Sequence, residues 1–234
     1  TDRSEVQQKF VALMDHVARL ASLGLAGSVY TQTTDVEGEI NGLITYDRRV
    51  VKFDVDAVAA VHGRVRAAAA RGLRPTAFTE LFSRQDADEK AWAYTFEEPA
   101  ADWKRPDFDD ATWSRSAGGF GNPGIAAKRP VAKVATPWTT KTLWLRRTFV
   151  CGALPAKLVD MRLDMFHDEG VEVYLNGRMI LSADGYTNDY VPYFADFAAA
   201  KAALKEGENV LAVKVVQTVG DQYFDASLSL VSEK

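Results

Sequence analysis

The stretch Tyr30 to Arg48, YTQTTDVEGEINGLITYDR, gathers Asp35, Glu37, Glu39 and Asp47 among threonines, a glutamine and two tyrosines. Carboxylates grouped in this way can do general acid/base work, line a site whose chemistry lies elsewhere, or solvate a loop. A second group, His167-Asp168-Glu169, has the composition of an acid/base cluster. It lies just before a hairpin, so a polar turn explains it more simply. A third set, Asp107, Asp109, Asp110 and the distant Asp225, could offer oxygens to a structural calcium ion. Its spacing is not that of a calcium loop. The competing reading is a turn whose carboxylates bond backbone N–H groups. His16, His62 and His167 are too scattered for a metal site. No serine lies in a nucleophile elbow and no glycine loop has phosphate-cradling spacing. No cofactor is therefore expected, with structural calcium as the alternative.

These residues are held by two parts of different texture. Residues 1–73 read as helix, strand, loop and helix. Ser4 and Gln7 have capping-box spacing, and Val6, Phe10, Leu13, Val17 and Leu20 form one apolar helical stripe. Gly24 suits the C-terminal cap. Leu25 to Thr31 is short and apolar, as a buried strand would be. Asp54 to Arg71 predicts a second helix, with Val55, Val58, Val61 and Val65 on one side and Gly72 as its stop. Such an α/β unit is a building block of parallel sheets and barrels. Residues 74–100, opened by Pro75, read as a connector. Trp92, Tyr94 and Phe96 alternate, so a first strand can start within it.

Residues 101–234 read as all-β. Val159, Met161, Leu163 and Met165 alternate with charged residues, as on a half-buried strand. Val171 to Leu175, Asn176-Gly177 and Met179 to Leu181 spell a hairpin with a type I′ turn. The expected fold is mainly β: an antiparallel sandwich or jelly roll preceded by a small α/β segment.

Composition excludes some partners. The 234 residues are 47% hydrophobic and 26% charged, with a formal net charge of −4. No basic cluster stands out, which argues against nucleic acid. No apolar run approaches the length of a membrane span. Cys151 is the single cysteine, so no internal disulfide is expected. The chain opens Thr1-Asp2-Arg3, without Met, which reads as a trimmed start or the cut end of a longer protein.

Four segments of the β half occur in a meaningful order: WKRPDFDDATW from Trp103, TPWTTKTLWLRRTF from Thr136, HDEGVEVYLNG from His167 and EGENVLAVKV from Glu206. The series resembles the galactose-binding-like jelly rolls of glycoside hydrolases, especially family 2 β-galactosidases and β-glucuronidases. Gly24 to Asp54, with Gly42 to Arg48 and Lys52, resembles the last βα unit of the (β/α)8 barrel in the same family. The resemblance implies carbohydrate as the partner, a retaining exo-glycosidase as the parent, and secretion or a periplasmic location for it. No signal is present in this chain.

Active sites of such barrels lie at the C-terminal ends of the strands. The resemblance therefore places Tyr30, Gln32, Asp35 and Glu37 at the rim of a sugar pocket. It also implies that both catalytic glutamates precede residue 1, so Glu37 and Glu39 are not that pair. On the sandwich, Trp138 and Tyr190 in expected loops are the candidates for stacking on a sugar, as are Tyr186 and its neighbours; core packing is the competing reading. One barrel unit cannot close a sheet. The remainder of the parent, repacking or a homodimer is expected to cover residues 1–70.

Overall fold

The computed structural model describes residues 3–71, 76–86, 88 and 91–234. The readings of Gly72 as a helix stop and of Pro75 as the start of a connector fall outside the described residues. Two compact units are present, one running to Thr76 and the other from Ala77 to Glu233.

The first unit pairs α1 (Arg3–Ser22) with α2 (Val55–Ala70). Phe10 is its centre: the ring lies 5.2 Å from Tyr30, 5.1 Å from Phe53 and 6.0 Å from His62. Met14 and Val61 complete the small core. The predicted stripe on α1 is only partly covered. Val6 and Leu13 stay 40% and 49% exposed, because a single facing helix shields a narrow strip. Gln7 does not close a capping box with Ser4, since α1 already begins at Arg3. Its Oε1 instead accepts the N–H of Asp54 at 2.7 Å. Asp54 in turn caps α2 by accepting the Ala57 N–H at 2.9 Å.

The strand expected from Leu25 to Thr31 does not form. These residues are irregular and largely exposed, Val29 to 92%. A strand with no neighbour leaves its N–H and C=O groups unpaired, and water serves them better. Among the described residues of this unit the β-type pairings are isolated bridges, Thr34 with Ile44, Val36 with Glu39 and Ile44 with Val51.

The second unit is the predicted sandwich. One sheet runs β10 (Val191–Phe194), β7 (Leu158–Asp168), β12 (Tyr223–Glu233), β4 (Phe120–Gly121) and β5 (Thr136–Pro137), with β1 (Thr76–Phe82) also paired to β12. The other runs β3 (Ser114–Ser116), β2 (Trp92–Thr95), β6 (Thr142–Cys151), β11 (Gly207–Val216), β8 (Gly170–Leu175) and β9 (Arg178–Ala183). The pairs with a described register are antiparallel except β4 with β5. Short helices α3 (Ile125–Lys128) and α4 (Phe197–Ala203) lie in the connections. The stretch read as a connector thus supplies a strand to each sheet, because Phe82 and Trp92 are large apolar residues with a core to enter.

Period-two alternation fills that core. Met161, Leu163 and Met165 of β7 and Ala226, Leu228 and Leu230 of β12 are at most 1% exposed. Each large side chain so buried stabilises the fold by roughly 1.5–3 kcal/mol. Two of the four segments singled out in the sequence are fastened to one another. Asn176 and Gly177 take φ of +49° and +87°, the left-handed pair that a two-residue hairpin turn requires. The Asn176 amide donates to Asn209 Oδ1 at 2.8 Å and to the Ala203 carbonyl at 2.9 Å, while Asn176 Oδ1 accepts the Val210 N–H at 2.9 Å. The hairpin and the Gly207–Asn209 strand start are therefore one construction.

Candidate functional site

Of the N-terminal candidates, Tyr30 and Gln32 meet at Asn41. The Tyr30 hydroxyl donates to the Asn41 carbonyl at 2.9 Å, and Gln32 Nε2 donates to Asn41 Oδ1 at 3.3 Å. Asn41 Nδ2 reaches Glu39 at 2.9 Å. Asp35 is not with them. It is buried, accepts the Gly42 N–H at 2.9 Å and holds Lys52 Nζ at 2.6 Å, so its role is to pin the loop. Gly42 is obligatory at that pin, because a Cβ would lie 2.3 Å from the Asp35 nitrogen. Glu37 is exposed at φ +52°, in the turn between the bridged Val36 and Glu39.

The two sandwich aromatics are not free faces. Trp138 is fully buried in the inter-sheet core, and its Nε1–H donates to Thr140 at 3.1 Å. The expectation that it stacks on a sugar from a loop is corrected by this burial. Tyr190 is half-buried beneath the Arg84 guanidinium, 4.4 Å from the ring centroid, and Phe166 packs at its edge. Its hydroxyl donates to Asp225 Oδ2 at 2.7 Å and also meets Gln85 Nε2 and the Tyr223 hydroxyl. Burial raises the Asp225 carboxyl and both phenols above their ordinary ranges. Asp225 is thus a buried acceptor for Tyr190. Asp109 accepts the Ala111 N–H, as the turn reading expected, and Asp107 and Asp110 face arginines. Among the described residues no group of three or more His, Cys, Asp or Glu is placed to hold a metal ion.

An open cleft lies beside this network, at one end of the β7–β12 sheet. Register pairs Asp225 with Phe166 and Tyr223 with Asp168. The segment around α3 and the loop carrying Tyr186 to Asn188 contribute its walls. Together with residues 219–221 they enclose about 250 Å³. Tyr186 is 63% exposed and bridges Asp168 across an isolated antiparallel pair. Most polar groups around it are fixed. Arg129 donates to Asn188 Oδ1 at 2.6 Å, and Lys128 Nζ to Asp221 at 2.8 Å. Glu169 accepts the N–H groups of Thr218 at 2.7 Å and Val219 at 3.1 Å, together with the Thr218 hydroxyl.

The three adjacent residues His167, Asp168 and Glu169 consequently do three different things. His167 is buried, with its ring nitrogens on the Glu169 carbonyl and the Tyr193 hydroxyl, and burial lowers its pKa. Glu169 clamps residues 218–219. Asp168 faces the cleft. Burial, then the charges of Glu169 and Asp221, push its carboxyl up to about 6 against the opposing effect of Arg129. A carboxyl whose folded pKa is raised favours folding at low pH and loses that contribution as pH rises through 6. Asp168→Asn is therefore expected to be more stable than the parent chain at pH 7, with the difference gone below pH about 4. Urea unfolding at pH 4, 5.5 and 7 checks this; a pH-independent difference would contradict it.

Sequence reasoning had the His167–Glu169 group and Tyr186, but not their division of labour. It missed Arg129, Asn188 and Asp221, which carry no motif and converge only through the fold.

No family model matches this chain, and no curated protein matches it. Solved structures do. β-Glucuronidase 2 of Bacteroides uniformis, covalently bound to cyclophellitol-6-carboxylate aziridine, shares 22% identity over 63% of this chain and 18% of its own, at a TM-score of 0.43. A glycosyl hydrolase family 2 member from Bacteroides cellulosilyticus shares 14% over 65% of this chain and 20% of its own, at 0.46. A β-glucuronidase of an uncultured Clostridium sp. shares 15% over 68% of this chain and 30% of its own, at 0.42. The chain therefore spans less than a third of each of these proteins. Identities and TM-scores this low assign no activity by themselves.

Proposed function

We propose that this chain is the C-terminal region of a family 2-like retaining exo-glycosidase acting on β-linked glycans, and that its sandwich holds a carbohydrate in the Tyr186 cleft. One observation carries the binding reading. An exposed aromatic ring stands beside a cleft whose polar lining groups are fixed in place by Arg129–Asn188, Lys128–Asp221 and the Glu169 clamp. A pyranose presents an apolar C–H face and a polar hydroxyl rim, and this arrangement meets both. Fixed partners also lower the ordering cost of weak binding.

Retaining hydrolysis needs two carboxyl groups about 5 Å apart, one as nucleophile and one as acid/base. We assign neither to this chain. Glu39 is held by Asn41 and Glu37 is exposed on a turn. The exposed apolar residues of the first unit, Val6, Leu13, Val29 and Val55, support burial against the remainder of the parent or a second copy.

Chromogenic β-galactosides, β-glucuronides and β-mannosides are expected to show no turnover with this chain. Titration with soluble glycans, followed by amide chemical shifts, is expected to move the signals of residues 186–188 and 219–221. Tyr186→Ala should weaken that binding at least about ten-fold without lowering stability, since the ring buries little. Glycans that leave those signals unmoved would favour a second reading, in which the sandwich only braces the enzyme. The interlocked Asn176–Asn209 segments are the observation on its side.

A further inference from the structure

We infer that the Tyr186 cleft selects a sugar carrying a protonated amino group, with Asp168 as the acceptor of the ammonium. The inference rests on the carbohydrate reading above and names its ligand more closely. Its starting point is an imbalance. Asp168 is only 9% exposed and lines the cleft. Among the described residues no hydrogen bond and no ion pair reaches its carboxylate, and burial heads the influences on its ionisation. Its neighbours are all satisfied. Glu169 holds the 218–219 backbone, Asp221 holds Lys128, and Arg129 is committed to Asn188. From β12 the cross-strand partner is Tyr223, whose hydroxyl is turned to Lys133 and Tyr190, and His167 on the same strand is neutral and bonded to Tyr193. An ionised carboxylate buried without a partner is costly. A ligand that supplies the partner recovers that cost on binding.

The partner's chemistry follows by comparison. A divalent metal wants several oxygen ligands, and no such group of side chains is assembled among the described residues. A neutral hydroxyl donates one hydrogen bond and leaves the charge uncompensated. A uronate would meet Asp168, Glu169 and Asp221 with charge of the same sign. An ammonium compensates Asp168 directly, and Tyr186, paired with Asp168 across an antiparallel bridge, adds an exposed aromatic ring that favours a cation. On a pyranose the group that fits is an amine.

The test is calorimetric titration of the whole chain with three methyl β-glycosides, of glucosamine, glucose and glucuronic acid. At pH 7 the glucosaminide should bind at least ten-fold more tightly than the glucoside, with no detectable binding of the glucuronide. Lowering the pH to 5 should cut the glucosaminide preference by about ten-fold, as Asp168 takes up its proton. Asp168→Asn should bring the ratio of glucosaminide to glucoside affinity at pH 7 close to one. Equal binding of glucosaminide and glucoside would overturn the inference and leave the carbohydrate reading standing. Tighter binding of the glucuronide, or a preference that survives Asp168→Asn, would also overturn it. Binding of no sugar at all would overturn the inference and the cleft reading together.

Discussion

Replacing Arg146 by alanine is expected to cost the sandwich about 3–5 kcal/mol. The side chain is only 3% exposed. Its guanidinium gives Nε–H to Asp110 at 2.8 Å, and Nη1 to the carbonyls of Trp103 and Arg105, the latter at 2.9 Å. Nη2 reaches the Phe108 carbonyl at 3.4 Å, and the group lies 5.3 Å from the Phe108 ring. One arginine on β6 thus organises the whole turn from Trp103 to Asp110. Alanine would leave Asp110 with Arg115 alone and take a donor away from three carbonyls, which is worse than never having built the pair. Lysine should recover little, because a single ammonium cannot reproduce a planar fork. Urea unfolding of the full chain measures this, and a change below 1 kcal/mol would show that water replaces the arginine.

Trp138→Ala is expected to cost a similar 3–5 kcal/mol by emptying the inter-sheet core. The indole is fully buried, and the backbone N–H of the same residue closes onto the Gly121 carbonyl at 2.9 Å, tying the chain after β5 to β4. The sandwich transition should fall by roughly 10 °C. This variant is therefore a poor probe of ligand binding, since any lost binding would follow from lost structure. Tyr186→Ala removes an exposed ring and separates the two effects. A Trp138→Ala chain that melts within 2 °C of the parent would mean that the site collapses around the missing ring.

The contrast between these two aromatics shows what the sequence could reveal. The hairpin at Asn176-Gly177, the alternation of β7 and the existence of α2 are legible, because each is enforced by neighbours within a few residues. Trp138 sits between a proline and threonines, which reads as a surface loop; its burial depends on β4, fifteen residues away and more. The strand expected at Leu25–Thr31 has strand composition, but composition cannot supply neighbouring strands. The Asp109-Asp110 and Arg146-Arg147 pairs stand in segments that carry the family resemblance, yet only the fold shows that Asp110 and Arg146 are partners. The cleft was the least legible part. Arg129, Asp168, Tyr186, Asn188 and Asp221 come from three separate connections and the end of β7, and none of these is unusual by itself.

The position of β12 has a consequence for how the protein is made. This strand lies inside its sheet, between β7 on one side and β4 and β1 on the other. β1, at residues 76–82, must wait for a partner at residues 223–233. During translation the ribosome releases β1, β4 and β7 first, and none of them can complete that sheet while the last strand is still in the exit tunnel. Met161, Leu163 and Met165 then lack the neighbouring strand whose Ala226, Leu228 and Leu230 join them in the core. Pairing across such a separation in sequence is slow, and exposed strands are vulnerable while they wait. The sandwich is built to fold after synthesis of its final strand, all at once, and a nascent chain stalled before Tyr223 would be a substrate for chaperones.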